Sequence, residues 1–348
     1  MLNVERMLTP AREGVQIQAL FQKEPALICD TWNPHVALVL NDLFKRGKFA
    51  DRKVALDCDN TMLAHDCGEA TFEVLVRDGQ LTPGNLPREL RSVREQLCGE
   101  DLINFYKTYA SRAVPQIVDA KEATKDMYRW VVQIMAGLTV QEVTSAAALA
   151  FDPGLGMKSF PTPYAHPEMV DLVRAARSGG ADVWVVSASN PWSVRSAIAN
   201  HYNPALTRAG CNPIPMENII GLDVALIDRG GREVSDRDLV RNDRDYAEFN
   251  PGRLKELTLS SKIREPAPIF EGKATICSML LDSEPLLAAG DSRSDFPMLE
   301  RAQYKLFLSL PTKLALRDEV STRAASDAGW LIQPLSAGEH GKLAWAPN

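Results

Sequence analysis

Two aspartates, Asp57 and Asp59, lie in the run Asp57-Cys58-Asp59-Asn60-Thr61, directly after the apolar stretch Val54-Ala55-Leu56. Carboxylates at i and i+2 on a loop leaving a strand can both face one phosphate. The first can attack phosphorus, while the second can protonate the leaving oxygen and later activate water. Both are also hard oxygen ligands of the kind Mg²⁺ prefers, and such an ion offsets the repulsion between an anionic nucleophile and an anionic ester. Taken alone, the pair is equally an acidic turn, so its weight depends on what accompanies it.

Three further groups do. Ser187 ends the run VWVV at 183–186, where a hydroxyl can hydrogen-bond a phosphoryl oxygen or cap the helix starting near Pro191. Lys273, in Glu271-Gly272-Lys273 at a helix start, can neutralise charge on a transferring group or simply be a solvated lysine. Gly290-Asp291-Ser292-Arg293-Ser294-Asp295 follows the run LLAA at 286–289. Asp291 can ligate Mg²⁺ directly. Asp295 can act through water, orient Lys273, or serve as a helix N-terminal acid favoured by the dipole.

In chain order, acid pair, hydroxyl, lysine and acid pair resemble the four motifs of the haloacid-dehalogenase-like (HAD) phosphatases: DxDx[TV], a Ser/Thr, a Lys, and GDxxxD. The resemblance covers roughly residues 50–67 and 168–310. It implies an α/β fold, a Rossmann-like parallel-sheet HAD core with an inserted helical cap domain. It also implies an aspartyl-phosphate on Asp57, with Asp59 as acid and base and with Ser187 and Lys273 holding the phosphoryl group. Mg²⁺ would be held by Asp57, the Asp59 main-chain carbonyl and Asp291. Dehalogenases of the family lack an acid at the Asp59 position, so its presence favours phosphomonoester hydrolysis. Phosphotransferases share the same residues.

A helical stretch directly after the first motif is similar to the phosphoserine phosphatase-like branch, in which acids just past that motif touch the substrate's cationic group. Asp66 and Glu69 are the candidates here. Glu69, Trp32-Asn33 ahead of an N-terminal helix, and the phrase VVSASNPWSVR are similar to bacterial phosphorylcholine phosphatases. Phosphoserine phosphatases usually carry Gly-Gly after the second-motif serine; Ala188-Ser189 stands here. Ser189, Asn190 and Trp192 are therefore further candidate substrate contacts. An amine wants an acid plus aromatic faces, and Phe72, Phe105, Tyr106, Tyr109, Tyr128 and Trp130 populate the helical stretch, mostly as expected core. Arg195 can instead select an anionic substrate tail. The expected substrate is a small phosphorylated metabolite with an amine or choline-like group. The alternatives are phosphoryl transfer to an acceptor alcohol and a non-catalytic module that binds a phosphorylated ligand.

These residues need elements to hold them. The apolar runs at 54–56, 183–186, 286–289 and 306–308 predict buried parallel strands, with ligands bound beyond their carboxyl ends. Segments 68–79, 86–100, 101–112, 115–137 and 139–151 have helical periodicity. The expected division is a core of residues 1–67 and 168–348 with an N-terminal helical extension (34–46), and a helical cap of residues 68–167. Residues 152–166 read as the return linker, 167–180 as an amphipathic helix, and 219–250 as a small β excursion.

The 348 residues, 45% apolar and 24% charged, suit a globular core plus a second module. A net charge of -6 without a basic block argues against nucleic-acid partners. No stretch approaches the roughly 20 apolar residues of a membrane span, and the first residues do not read as a secretory signal. Six scattered cysteines without a CxxC pair suit a reducing compartment. The expected location is the cytoplasm.

Overall fold

The computed structural model describes residues 25–87, 90, 101–112 and 120–335. Most of the helix expected over 86–100 (residues 86, 87 and 90 apart), the start of the one expected at 115, Cys98 and the first residues lie outside this range, as does the Tyr109 side chain.

Eleven strands are described: β1 (Lys53–Leu56), β2 (Leu63–Ala64), β3 (Tyr164–Ala165), β4 (Asp182–Val186), β5 (Ile219–Ile220), β6 (Val224–Ile227), β7 (Glu233–Val234), β8 (Thr258–Ile263), β9 (Leu287–Gly290), β10 (Tyr304–Ser309) and β11 (Trp330–Pro334). Six form one sheet in the order β11-β10-β9-β1-β4-β5, and every neighbouring pair is parallel. The four apolar runs predicted from sequence are the four central neighbours, β10, β9, β1 and β4.

Side-chain alternation divides these strands between two cores. Val54, Leu56, Val183, Val185, Leu287, Ala289, Leu306 and Leu308 pack on one face with the helices Pro34–Lys45 and Pro167–Ser178. Ala55, Trp184, Val186, Ala288 and Phe307 pack on the other, with Ile276 and Cys277 of the helix Glu271–Leu280 and with Phe296 and Met298. A sheet buried on both faces gives the continuous apolar runs seen in the sequence. This is a Rossmann-like α/β architecture. The chain leaves β1 towards β4 and β5 and then crosses back to β9, β10 and β11, so the order reverses at the carboxyl end of β1, where open parallel sheets hold ligands.

Trp32-Asn33 acts in this packing. Asn33 caps the helix Pro34–Lys45, its Oδ1 accepting from His35 and Val36 N–H. The Trp32 indole and the N–H groups of Ile28 and Cys29 all donate to Oδ2 of buried Asp171 at 2.8–3.0 Å. The dipeptide thus seats the N-terminal segment on the helix Pro167–Ser178.

Between β2 and β3 the chain inserts the helices Cys67–Arg77, Leu102–Arg112, Ala120–Gln133 and Val140–Leu149. β2 and β3 pair antiparallel where the chain leaves and re-enters the core. On the return, buried Glu73 accepts the N–H groups of Lys158, Ser159 and Phe160 at 2.7–3.0 Å. The β excursion expected at 219–250 has different bounds. β5 belongs to the main sheet, and the small antiparallel sheet β7-β6-β8 takes its third strand from Thr258–Ile263. The polar sequence TLSSKI hid that strand, because only one of its six residues is fully buried. Among the described residues no helix is long and apolar enough to cross a membrane.

Candidate active site

Asp57 N–H donates to Ala289 O at 2.9 Å, so the backbone is still in the sheet as its side chain clears the carboxyl edge. Its Oδ1 accepts from Lys273 Nζ at 2.5 Å and its Oδ2 from the Thr61 hydroxyl at 3.0 Å. Lys273, in the first turn of its helix, also donates to Asp295 Oδ1 at 2.6 Å. Asp295 Oδ2 accepts from the N–H groups of Asp291 and Ser292 and from the Ser292 hydroxyl, at 2.8–3.2 Å. These contacts need Gly290 without a side chain, since a Cβ there would lie 2.5 Å from Asp295 Cβ. Asp291 accepts from Lys313 through Oδ2 and faces the Thr61 hydroxyl at 3.4 Å through Oδ1.

Asp59 stands beside this cluster. Its Oδ1 accepts from Cys67 N–H at 2.7 Å and its Oδ2 from the Ser187 hydroxyl at 3.1 Å. Ser187 Oγ in turn accepts from Ser189 N–H at 3.0 Å, which fixes the hydroxyl's direction. The Ser189 hydroxyl reaches Asp66 Oδ1 at 3.3 Å, and Asp66 caps the helix Cys67–Arg77 through Glu69 N–H. Glu69 Oε1 accepts from the Tyr106 hydroxyl at 2.8 Å. Tyr106 belongs to a packed ring cluster with Phe72, Trp130 and Phe160.

Burial and the neighbouring Asp295 push the Asp57 carboxyl well above its usual range, against the pull of Lys273. Burial also raises Asp291, with Lys313 opposing. It raises Asp66, which Asp59 raises further, and Glu69, where the Tyr106 hydrogen bond opposes. Burial alone would lower Lys273, but Asp295 and Asp57 more than offset it and hold the ammonium charged.

The structure thus brings together Asp57, Asp291, Asp295 and Lys273, with Asp59 and Ser187 adjoining and Ser189, Asp66 and Glu69 in the next contacts outward. Three other residues singled out from the sequence face elsewhere. Trp192 is 1% exposed and its indole donates to the Tyr246 hydroxyl at 2.8 Å, because the helix starting at Pro191 turns that position into the core. Asn190 is buried as the cap of the same helix, accepting from Ser193 N–H. Arg195 is spent on a buried two-pronged pair with Asp236 at 2.7 and 2.8 Å. Sequence reasoning also passed over participants. Thr61 lay inside the first motif without an assigned role. Lys313 had no signal beyond following the polar end of β10. Tyr128, counted as core, has its hydroxyl pushed up by burial and then by the field of Asp66, Asp291, Asp57 and Asp295.

One oxygen each from Asp57, Asp291 and Asp295 lie within 4.8 Å of one another. Asp295 has the least to give an ion, since its Oδ2 already accepts from three donors and its Oδ1 from Lys273. Among the described residues, Asp57, Asp59, Asp291 and Asp295 are paired with two cations, Lys273 and Lys313, so with all four acids ionised the cluster is two positive charges short of neutrality, a deficit one divalent cation covers. The donors are all oxygen, so the set fits Mg²⁺. A second group, Cys58, Asp59 and Cys67, mixes in thiols, which a hard ion avoids. Among the described cysteines, Cys29, Cys58, Cys67, Cys211 and Cys277 are free.

No protein-family model matches the chain, and no curated protein does. A functionally unknown protein from Anaerococcus prevotii DSM 20548 superposes with a TM-score of 0.56 at 16% identity, over 90% of this chain and 99% of that one. A protein of unknown function from Bordetella pertussis Tohama I gives 0.47 at 16% identity, over 81% and 98%. A phosphoserine phosphatase solved as a phospho-aspartyl intermediate analogue gives 0.40 at 14% identity, over 78% and 91%. The first likeness is one of fold.

Proposed function

We propose that this chain is a Mg²⁺-dependent phosphomonoester hydrolase of the HAD-like class, with residues 68–167 serving as its cap. The observation that carries this reading is the meeting of Asp57, Lys273 and Asp291, from three distant stretches, at the carboxyl edge of β1 and β9.

The Asp57 carboxylate attacks phosphorus, and the ester P–O bond breaks. Asp59 gives its proton to the leaving oxygen, and the aspartyl-phosphate remains on Asp57. Asp59, now a carboxylate, takes a proton from water. The resulting hydroxide attacks phosphorus, the bond to Asp57 breaks, and inorganic phosphate leaves. Ser187 and Lys273 hold phosphoryl oxygens, and Lys273 also keeps Asp57 aimed. Asp295 fixes Lys273 and the turn bearing Asp291. Asp57, Asp291 and the Asp59 main-chain carbonyl would hold Mg²⁺, whose positive charge would let an anionic carboxylate approach a phosphate.

For the substrate we infer a small ester with a cationic group. Glu69 supports this, because it is the half-buried acid next outward from Asp59 and Tyr106 holds one of its oxygens. Asp66 serves by positioning, since its Oδ1 is committed to Glu69 N–H and Ser189.

The test is hydrolysis of p-nitrophenyl phosphate with Mg²⁺, abolished by EDTA and restored by added metal. A panel of phosphocholine, phosphoethanolamine, phosphoserine and sugar phosphates follows. A folded protein with no turnover in any arm would end the enzymatic reading. Phosphoryl appearing on an added alcohol rather than in inorganic phosphate would favour the transferase.

A further inference from the structure

Lys313 lies outside the four sequence motifs, yet its ammonium donates to Asp291 Oδ2 from the loop that follows β10. Asp291 is 3% exposed, so this is not a solvent-screened surface pair of negligible strength. The two lysines of the site divide the acids between them. Lys273 holds Asp57 and Asp295, while Lys313 holds Asp291, which is assigned to the metal together with Asp57.

An ammonium and a divalent ion compete for such an oxygen, because each neutralises it and each repels the other. We propose that Lys313 is a built-in competitor for the metal. It stands in for part of the ion's charge when the site is metal-free and must yield Asp291 when the ion binds. The proposal rests on the metal-dependent reading of the site and concerns affinity rather than the chemical step. Repulsion between an ammonium and a divalent ion about 4 Å apart weakens binding about thirtyfold even at the dielectric constant of water. Lys313 thus sets a metal affinity lower than the four acids alone would give, and prevents them from repelling one another when no metal is bound.

The experiment titrates Mg²⁺ by calorimetry into metal-stripped wild type, Lys313→Gln and Lys313→Arg, and melts each protein with and without saturating Mg²⁺. Lys313→Gln should bind Mg²⁺ at least about tenfold more tightly, and Lys313→Arg about as weakly as wild type. Without metal the Gln variant should melt below wild type, and saturating Mg²⁺ should close the gap. Equal or weaker binding by the Gln variant, or a melting deficit that metal leaves unchanged, would overturn the proposal and leave Lys313 a structural strut. Wild type that binds Mg²⁺ alongside a variant of unchanged affinity sinks only this proposal. Folded wild type and variant that both fail to bind sink the metal reading with it. Lysine-selective acylation of wild type, read by mass spectrometry, works even where the variant does not fold. Lys313 should label faster with Mg²⁺ than without, and slower labelling counts against its release.

Discussion

Asp57→Asn removes one charge from the acidic cluster and leaves its shape unchanged, so stability and activity should move in opposite directions. At an effective dielectric constant of about 20, Lys273 at 2.5 Å attracts the Asp57 carboxylate by about 7 kcal/mol. Asp291 and Asp295, with oxygens within 4.8 Å, repel it by about 3 kcal/mol each. These terms nearly cancel, leaving the desolvation of a buried charge, which costs several kcal/mol. Relief of that cost, less about 1 kcal/mol for a weaker hydrogen bond, should stabilise the metal-free variant by about 1–3 kcal/mol. The direction agrees with the burial and Asp295 repulsion that push the Asp57 carboxyl up. An amide is no nucleophile for phosphorus, so kcat should fall by about 10⁴-fold or more. Urea unfolding of metal-stripped proteins and initial rates on p-nitrophenyl phosphate give the two readouts. A variant that keeps a tenth of wild-type activity, or one that is less stable than wild type without metal, refutes the reasoning.

Three further changes probe the surroundings. Glu69→Gln should lower kcat/KM for amine-bearing esters about tenfold while leaving p-nitrophenyl phosphate within about twofold; equal losses on both substrates would remove Glu69 from specificity. Gly290→Ala would place a Cβ 2.5 Å from Asp295 Cβ, displacing the acid that holds Lys273. It should cost about 1–3 kcal/mol in urea unfolding as well as activity, and wild-type behaviour in both would disprove that close approach. Burial and then Asp236 push the Asp223 carboxyl up from 3.8 to about 7. The folded state therefore binds the proton more tightly than the unfolded chain, and stability is lost as pH rises from 3.8 through about 7. Asp223→Asn should thus gain on wild type with rising pH, by up to about 4 kcal/mol above that range; a stability difference that stays constant across it would contradict the shift.

Legibility followed the reach of each signal. Runs such as Val54-Ala55-Leu56 and VWVV were readable because strands buried on both faces are mostly apolar through their middles. Acids and a hydroxyl that end them were therefore conspicuous. β8 is largely polar and does not announce itself, while β5 was legible as part of the 219–250 excursion but, at two residues, not as a strand of the main sheet. Neighbourhood in sequence misled at the helix starting at Pro191. Ser187 and Ser189 face the cluster, but Trp192, a few residues on, has turned into the core towards Tyr246. Nothing in a linear pattern records which side of a helix faces a cleft. Lys313 was illegible for a related reason, since its partner Asp291 is near only through the pairing of β9 with β10.

The small sheet, for which the sequence offered no functional account, has a position that suggests one. Gly137 N–H donates to Leu259 O, Leu259 N–H to Leu138 O, and Val140 N–H to Leu257 O, each at 2.9 Å. The approach to β8 and its first residues are thus stitched to the turn between the helices Ala120–Gln133 and Val140–Leu149, and Gln133 adds a bond to Ser261 O. The helical insert is fastened at that turn as well as at the β2–β3 crossing. Two attachments resist a rigid swing about β2 and β3 far better than one, because rotation there would break paired backbone groups at the other.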